Sequence, residues 1–153
     1  MTAAVNRNVD QEIRQRMEAW KQTFQAKDVD GMMAFYASGD TFTAFDIMPP
    51  LEFHGGEMWR ENWTSFFALW DGSPTIEMYD VRIHASGELA IFRAVAHLQA
   101  TTAGHEAEVW SRQTICLRRM DGQWLMIHNH ISVPIDFATG HALLSLKPEQ
   151  PTP

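Results

Sequence analysis

SRQTICLRRMDGQWLMIHNHISVP, residues Ser111 to Pro134, reads as two long strands folded around a tight turn at Met120-Asp121-Gly122. Asp-Gly between alternating apolar runs is a strong short-range hairpin signal. With a three-residue turn closed by a Gly bulge, Leu117, Ile115, Gln113 and Ser111 share one face with Leu125, Ile127, Asn129, Ile131 and Val133. That face is apolar near the turn and polar farther along, and it is expected to cover the helices with Gln113 opposite Asn129. Buried amides need partners, from each other, water or a ligand. The other face carries Trp110, Arg112, Thr114, His128, His130 and Ser132. A two-residue turn would swap the faces of one strand relative to the other.

Working back from the hairpin, Thr75–Ala85, Leu89–Thr101, His105–Arg119 and Trp124–Val133 read as strands broken at Ser86-Gly87, Ala103-Gly104 and Asp121-Gly122. Such short connections predict antiparallel neighbours. Before Asp71-Gly72-Ser73-Pro74 the period is helical: Asp10 to Ala26 places Ile13, Met17, Trp20 and Phe24 on one face. Asp28 is placed to cap a short helix from Val29 to Tyr36, and a third helix spans Glu57 to Trp70 with Trp59 and Trp63 sharing a face. Thr41 to Ile47 predicts a strand that ends before Pro49-Pro50. Helices first and an antiparallel sheet afterwards is an α+β pattern: a curved sheet wrapped over helices, forming a cone with one open mouth. The domain is expected over residues 10–134, with 1–9 as a flexible N-terminus and 135–153 as a tail on the surface.

The chain has 153 residues, 45% of them apolar and 20% charged, the balance of one globular domain with a real core. A lone Cys116 forms no internal disulfide and suits a reducing compartment, and MTAAVNRNVDQE lacks a signal peptide's apolar stretch. No apolar run approaches a membrane span, so the expected location is cytoplasmic. The formal charge is −7 and no basic run stands out, which argues against a nucleic acid partner. Six Trp and nine Phe are many for this length. They fill a large aromatic core, line a cavity, or do both.

Three stretches carry a family resemblance: AKDVDGMMAFYASGDTFTAFD, LEFHGG, and LRRMDGQWLMIHNHIS. Over about residues 10 to 134 the chain resembles the NTF2-like superfamily, with its cystatin-like cone fold. That superfamily includes ketosteroid isomerase, SnoaL-type cyclases and the association domain of calcium/calmodulin-dependent kinase II. The last stretch looks most like the kinase association domain. The motifs speak for the fold more than for chemistry, because this superfamily reuses one pocket for unrelated tasks.

The resemblance implies a set of site residues. The catalytic base of ketosteroid isomerase falls on Ala44, and Asp46 lies two residues on, hence on the same face. In an aromatic pocket its carboxylate would have a raised pKa and act as general base; the alternative is that Asp46 caps the turn at Pro49-Pro50. Arg93 matches an arginine that lines the pocket of the kinase association domain, and Asp46 is its expected partner. Phe92, Ala94, Ala96 and Leu98 form one face of their strand, and Ile91, Arg93, Val95, His97 and Gln99 form the other. Trp20, Tyr36, His54, Trp59, Trp63, Ser111, Gln113 and Asn129 are the candidate substrate-binding residues. The isomerase's oxyanion tyrosine falls on Trp20 and its protonated aspartate near Gln113 to Ile115, so steroid isomerase chemistry is not expected. His84, His97 and His105 share no metal-ligand spacing with the His-x-His of the last strand, and neither metal nor cofactor is expected.

The function these residues suggest is a small-molecule pocket protein of the ketosteroid isomerase-like or SnoaL-like kind. Its ligand is apolar or aromatic, anionic in the version that uses Arg93. In an enzymatic version Asp46 removes a proton next to a carbonyl, and Arg93, with His97 or Gln113 and Asn129, holds the developing oxyanion. Isomerisation, cyclisation and dehydration all fit. The alternative is a non-catalytic oligomeric module like the kinase association domain. Either way a homodimer is expected through the outer sheet face, at Trp110, Arg112, His128 and His130.

Overall fold

Val9, Ile13, Met17, Trp20 and Phe24 recur at steps of three and four, and this stripe is buried along α1, Thr2–Gln25. The computed structural model describes the backbone of residues 2–149 and the side chains of residues 8–149. The first helix begins at Thr2, ahead of the expected Asp10. Asp28 caps α2, Val29–Met33, by accepting the Gly31 N–H at 2.9 Å. That helix stops short of Tyr36. Residues Phe35 to Ala37 instead bond to a strand, with Ala37 N donating to Met126 O and Met126 N to Phe35 O, each at 2.9 Å.

Two short strands follow, β1 at Thr43–Phe45 and β2 at Phe53–His54, the second absent from the sequence expectation. Helix α3, Gly55–Ala68, buries Trp59, Trp63 and Phe67 at successive steps of four. Four long strands complete the chain: β3 at Asp71–Ser86, β4 at Leu89–Thr102, β5 at His105–Met120 and β6 at Gln123–Ser132. The sheet order is β2-β1-β6-β5-β4-β3. It is mixed and open, because β1 runs parallel to β6 while every other pair is antiparallel. This is the α+β cone expected from the sequence, with one parallel pair at its edge.

The β5–β6 hairpin corrects the expected register. Its turn has two residues: Met120 pairs with Gln123, and Asp121 and Gly122 both take positive φ, 49° and 80°. That geometry suits the right-handed twist of the strands and is why Asp-Gly occupies the turn. Near the turn Trp124 and Met126 therefore point inward, not Leu125 and Ile127. A bulge follows, with Cys116 paired to His128 but Leu117 to Met126, which leaves Ile127 as the extra residue. The shifted turn and the bulge cancel, so Asn129 and Ile131 return to the inner face. Gln113 pairs with Ile131 and Asn129 with Ile115, so the two amides are diagonal neighbours rather than opposed.

On the concave side, Phe92, Ala94, Ala96, Ile115 and Leu117 meet the helix stripes. Trp20 stacks on Phe24 at 5.3 Å between centroids and Trp63 on Phe67 at 5.4 Å, and Trp59 meets Trp63 edge-on at 5.4 Å. Each such contact adds about 0.5–1.5 kcal/mol beyond burial. After β6 the chain folds back: Leu143 N donates to Pro134 O at 2.9 Å, and Trp110 N donates to Leu144 O at 2.7 Å. The tail thus folds back on itself and is tied to β5 by one backbone bond where β6 has ended. Among the described residues no helix is long and apolar enough to cross a membrane.

Candidate functional site

Between α1, α3 and the concave face lies a cavity of about 230 Å³. Helix α1 contributes Trp20 and Phe24, and α3 with the residues after it contributes Asn62, Trp63, Phe66, Leu69 and Trp70. The sheet supplies an apolar end, Ile76, Leu98 and Val109, and a polar end, Ser111, Gln113 and Asn129. Asp46, Ile47 and Met48, just past β1, close the polar end, and Leu144 of the tail closes another side. An open depression of about 660 Å³ on the outside shares Asp46, Ile47 and Ile131 with the cavity, which puts Asp46 at its mouth.

Asp46 follows Ala44 on the inner face of β1, and Ala44 pairs with Asn129. Its Oδ1 accepts the Met48 N–H and its Oδ2 accepts from Asn62 Nδ2, both at 3.3 Å. Burial pushes its carboxyl above the usual aspartate range, against the lowering effect of hydrogen bonds from Met48, Ile47 and Asn62. The capping and pocket readings of Asp46 thus describe one side chain: one oxygen holds the turn and the other faces α3.

Ser111, Gln113 and Asn129 are 8%, 5% and 2% exposed, and among the described residues Asn129 Oδ1 has no hydrogen-bond partner. An orphaned buried acceptor costs about 1–3 kcal/mol. Among the described residues Asp46 is the one ionisable side chain on the lining.

Six sequence candidates meet here: Asp46, Trp20, Trp63, Ser111, Gln113 and Asn129. Five do not. Arg93 projects from the outer face and pairs with Asp80 at 3.2 Å, not with Asp46. Asp80 reaches it because β3 bulges between Tyr79 and Arg82 and Asp80 takes a positive φ of 51°. His97 also lies outside, stacked on Trp110 with ring centroids 4.1 Å apart and Nε2 at 3.4 Å from Glu108 Oε1. His54 is exposed and pairs with Glu52 at 3.0 Å. Trp59 is fully buried in the core.

Tyr36 sits behind the cavity wall, where its hydroxyl accepts from Trp20 Nε1 at 3.0 Å. Burial pushes its phenol up to about 12, against the lowering effect of the Trp59, Trp20 and Trp63 indoles.

The outer-face residues are confirmed as face partners, Thr114 with His130, Cys116 with His128 and Arg112 with Ser132. Trp110, however, is 6% exposed and spent within its own chain. His128 Nδ1 lies 2.8 Å from Thr43 Oγ1, and Phe45 packs edge-on against both His128 and His130. Burial and the neighbouring His130 lower the His128 pKa.

Sequence reasoning missed Asn62 and Leu144. Asn62, Phe66 and Leu69 recur at helical spacing, so a polar residue heading an apolar stripe was the available signal for the first. No local signal existed for Leu144.

A family described as the SnoaL-like domain matches residues 13–136. An NTF2-like protein of unknown function from Pseudomonas putida KT2440 is 34% identical, with a TM-score of 0.82 over 97% of this chain and 99% of that one. A candidate scytalone dehydratase from Novosphingobium aromaticivorans is 12% identical, TM-score 0.77, over 88% of this chain and 89% of that one. A ketosteroid isomerase-like protein from Erwinia carotovora atroseptica is 19% identical, TM-score 0.67, over 79% and 92%. At those two lower identities the likeness is one of fold. Among curated proteins none matches the sequence.

Proposed function

Because the chain belongs to the SnoaL-like domain family, we propose that its cavity binds a small, mainly apolar ring compound and that Asp46 works there as an acid–base group next to a carbonyl. The observation that carries this reading is the placement of Asp46: a carboxyl with a burial-raised pKa at the mouth of an aromatic-walled cavity. A carboxylate whose pKa is raised toward the working pH is the better proton acceptor.

In the proposed step the Asp46 carboxylate takes the proton α to the carbonyl. The C–H bond breaks, its electron pair moves toward the carbonyl oxygen, and an enolate forms. In this reading the amide N–H groups of Gln113 and Asn129, expected to share the role with Arg93, hold that oxygen without Arg93 or His97, which lie outside the cavity. Return of the proton to another carbon completes an isomerisation; loss of a β-hydroxyl as water completes a dehydration.

Deuterium exchange into 1-indanone and 2-tetralone, followed by NMR, tests the step. The wild type accelerates exchange at the α carbon, and Asp46→Asn loses about a hundredfold or more of that acceleration while still binding the ketone. Equal exchange by the two proteins removes Asp46 from the role.

The same reading includes a homodimer packed through the outer sheet face. It is supported by Leu89 and Ile91, which are 51% and 46% exposed there. Sedimentation checks it: a monomer at every concentration removes the dimer.

A further inference from the structure

We infer that Asn62 is a positioning residue for Asp46, holding its carboxylate from the α3 wall of the cavity, an inference that rests on the acid–base reading proposed above. Asp46 has little of its own to hold it. It lies just past β1, a strand of three residues, and the chain from there to Pro50 is irregular. Its Oδ1 accepts the Met48 N–H at 3.3 Å, but that donor belongs to the same turn and moves with it. Its Oδ2 accepts from Asn62 Nδ2, also at 3.3 Å. Among the described residues Asn62 is the one side chain from another element that bonds the carboxylate.

The place of Asn62 in the fold suits the task. It sits inside α3 between Trp59, which is fully buried, and Trp63, which is 5% exposed, so the core fixes its backbone. A group carried on a packed helix is placed more precisely than one on a loop. Its α3 neighbours on the lining are Trp63 and Phe66, with Leu69 just beyond. An amide among them gains nothing from packing and needs a polar partner, which Asp46 supplies.

The kind of donor matters as much as its place. Tyr36 lies behind the wall, Glu52 and His130 share the outer depression with Asp46, and among the described residues no Lys or Arg lines the cavity or that depression. A cation in place of Asn62 would hold the carboxylate but make it a poor base. The neutral amide orients it and offsets only part of the effect of burial, so the raised proton affinity survives.

Two measurements on the whole chain test this. One is a carbon-13 NMR titration of labelled aspartate, with the Asp46 signal identified by its loss in Asp46→Asn. The other is the pH profile of deuterium exchange into 1-indanone. In Asn62→Leu the Asp46 midpoint should rise by roughly one pH unit, because only the turn then opposes burial. The exchange profile should move the same way. Its kcat should fall about tenfold or more with KM within about twofold, since the ketone still binds but meets a carboxylate out of place. Asn62→Asp keeps the shape and replaces the donor with a second carboxylate. The pair should then share one proton, with an upper apparent pKa about one unit or more above that of Asp46 in the wild type. If Asn62→Leu does not fold, this isosteric variant decides alone. An Asp46 titration unmoved in the variants, or an unchanged kcat in Asn62→Leu, overturns the inference and leaves the acid–base reading standing. A wild type that does not accelerate exchange overturns the acid–base reading and the role of Asn62 with it.

Discussion

Trp20 Nε1 donates a 3.0 Å hydrogen bond to the hydroxyl of Tyr36, joining a residue on the cavity wall to one behind it. Trp20 comes from α1, while Tyr36 is held by the short stretch that pairs with Met126 of β6. The bond therefore ties the helix layer to the sheet and fixes how Trp20 faces the cavity. Tyr36→Phe leaves the indole N–H buried with no acceptor and should lower stability by about 1–3 kcal/mol in urea unfolding. A loss near zero would mean the indole finds another acceptor. In the wild type, ultraviolet titration should show one of the two tyrosines, Tyr36, ionising near pH 12.

Asp46 carries a pH signature of the opposite sign to an ordinary salt-bridged carboxylate. Its pKa is raised in the fold by burial, so the folded state binds this proton more tightly than the unfolded chain does. The resulting stability is fully present below the usual aspartate pKa of 3.8 and is lost as pH rises through the raised value. Asp46→Asn removes the charge and keeps an oxygen to accept the Met48 N–H. The variant should be more stable than the wild type near neutral pH, and the difference should close as both are acidified. A difference that widens on acidification would show that the carboxylate is stabilised, not strained, by its site.

Arg93→Ala distinguishes the two sides of the sheet. Arg93 sits opposite Arg82 across β3 and β4, and Asp80 pairs with both, at 3.2 Å each. These side chains are 39–61% exposed, so the pair is screened by water. The substitution should change stability by no more than about 1 kcal/mol and leave ring-compound binding untouched. Lost binding would return Arg93 to the pocket.

The fold was legible because the strands after Pro74 alternate and their turns carry Gly, and because α1 keeps one clean stripe. The cavity lining was legible at Asp46, Ser111 and Gln113 from strand alternation, whereas Asn129 matches its expected face only because the turn is one residue shorter than expected and the bulge restores the parity. What hid the rest was local. Trp124, Leu125, Met126 and Ile127 are all apolar, so period-two reasoning cannot tell which pair points inward or where an extra residue is inserted. The bulge at Asp80 is equally silent in sequence and supplies the partner of Arg93, whose place outside the cavity follows from alternation with the buried Phe92 and Ala94. Leu144 reaches the cavity only through a tail whose path is set by its own folded-back backbone bonds and by one bond to Trp110.

That tail sets a final prediction. Leu144 is 41% exposed, and the part of its side chain that is covered forms a wall of the cavity. Its carbonyl is held by the Trp110 N–H, so Leu144→Ala removes the wall without releasing the backbone. The area lost is that of a half-buried leucine, about 1 kcal/mol, which corresponds to roughly fivefold weaker binding of a small ring. Leu146, 56% exposed and off the cavity lining, is the control: Leu146→Ala should leave affinity unchanged. If the tail also guards the way out, stopped-flow should place the Leu144→Ala effect in the dissociation rate, with association barely altered. Equal affinity in the wild type and Leu144→Ala would mean the ligand sits at the Asp46 end and never touches the tail.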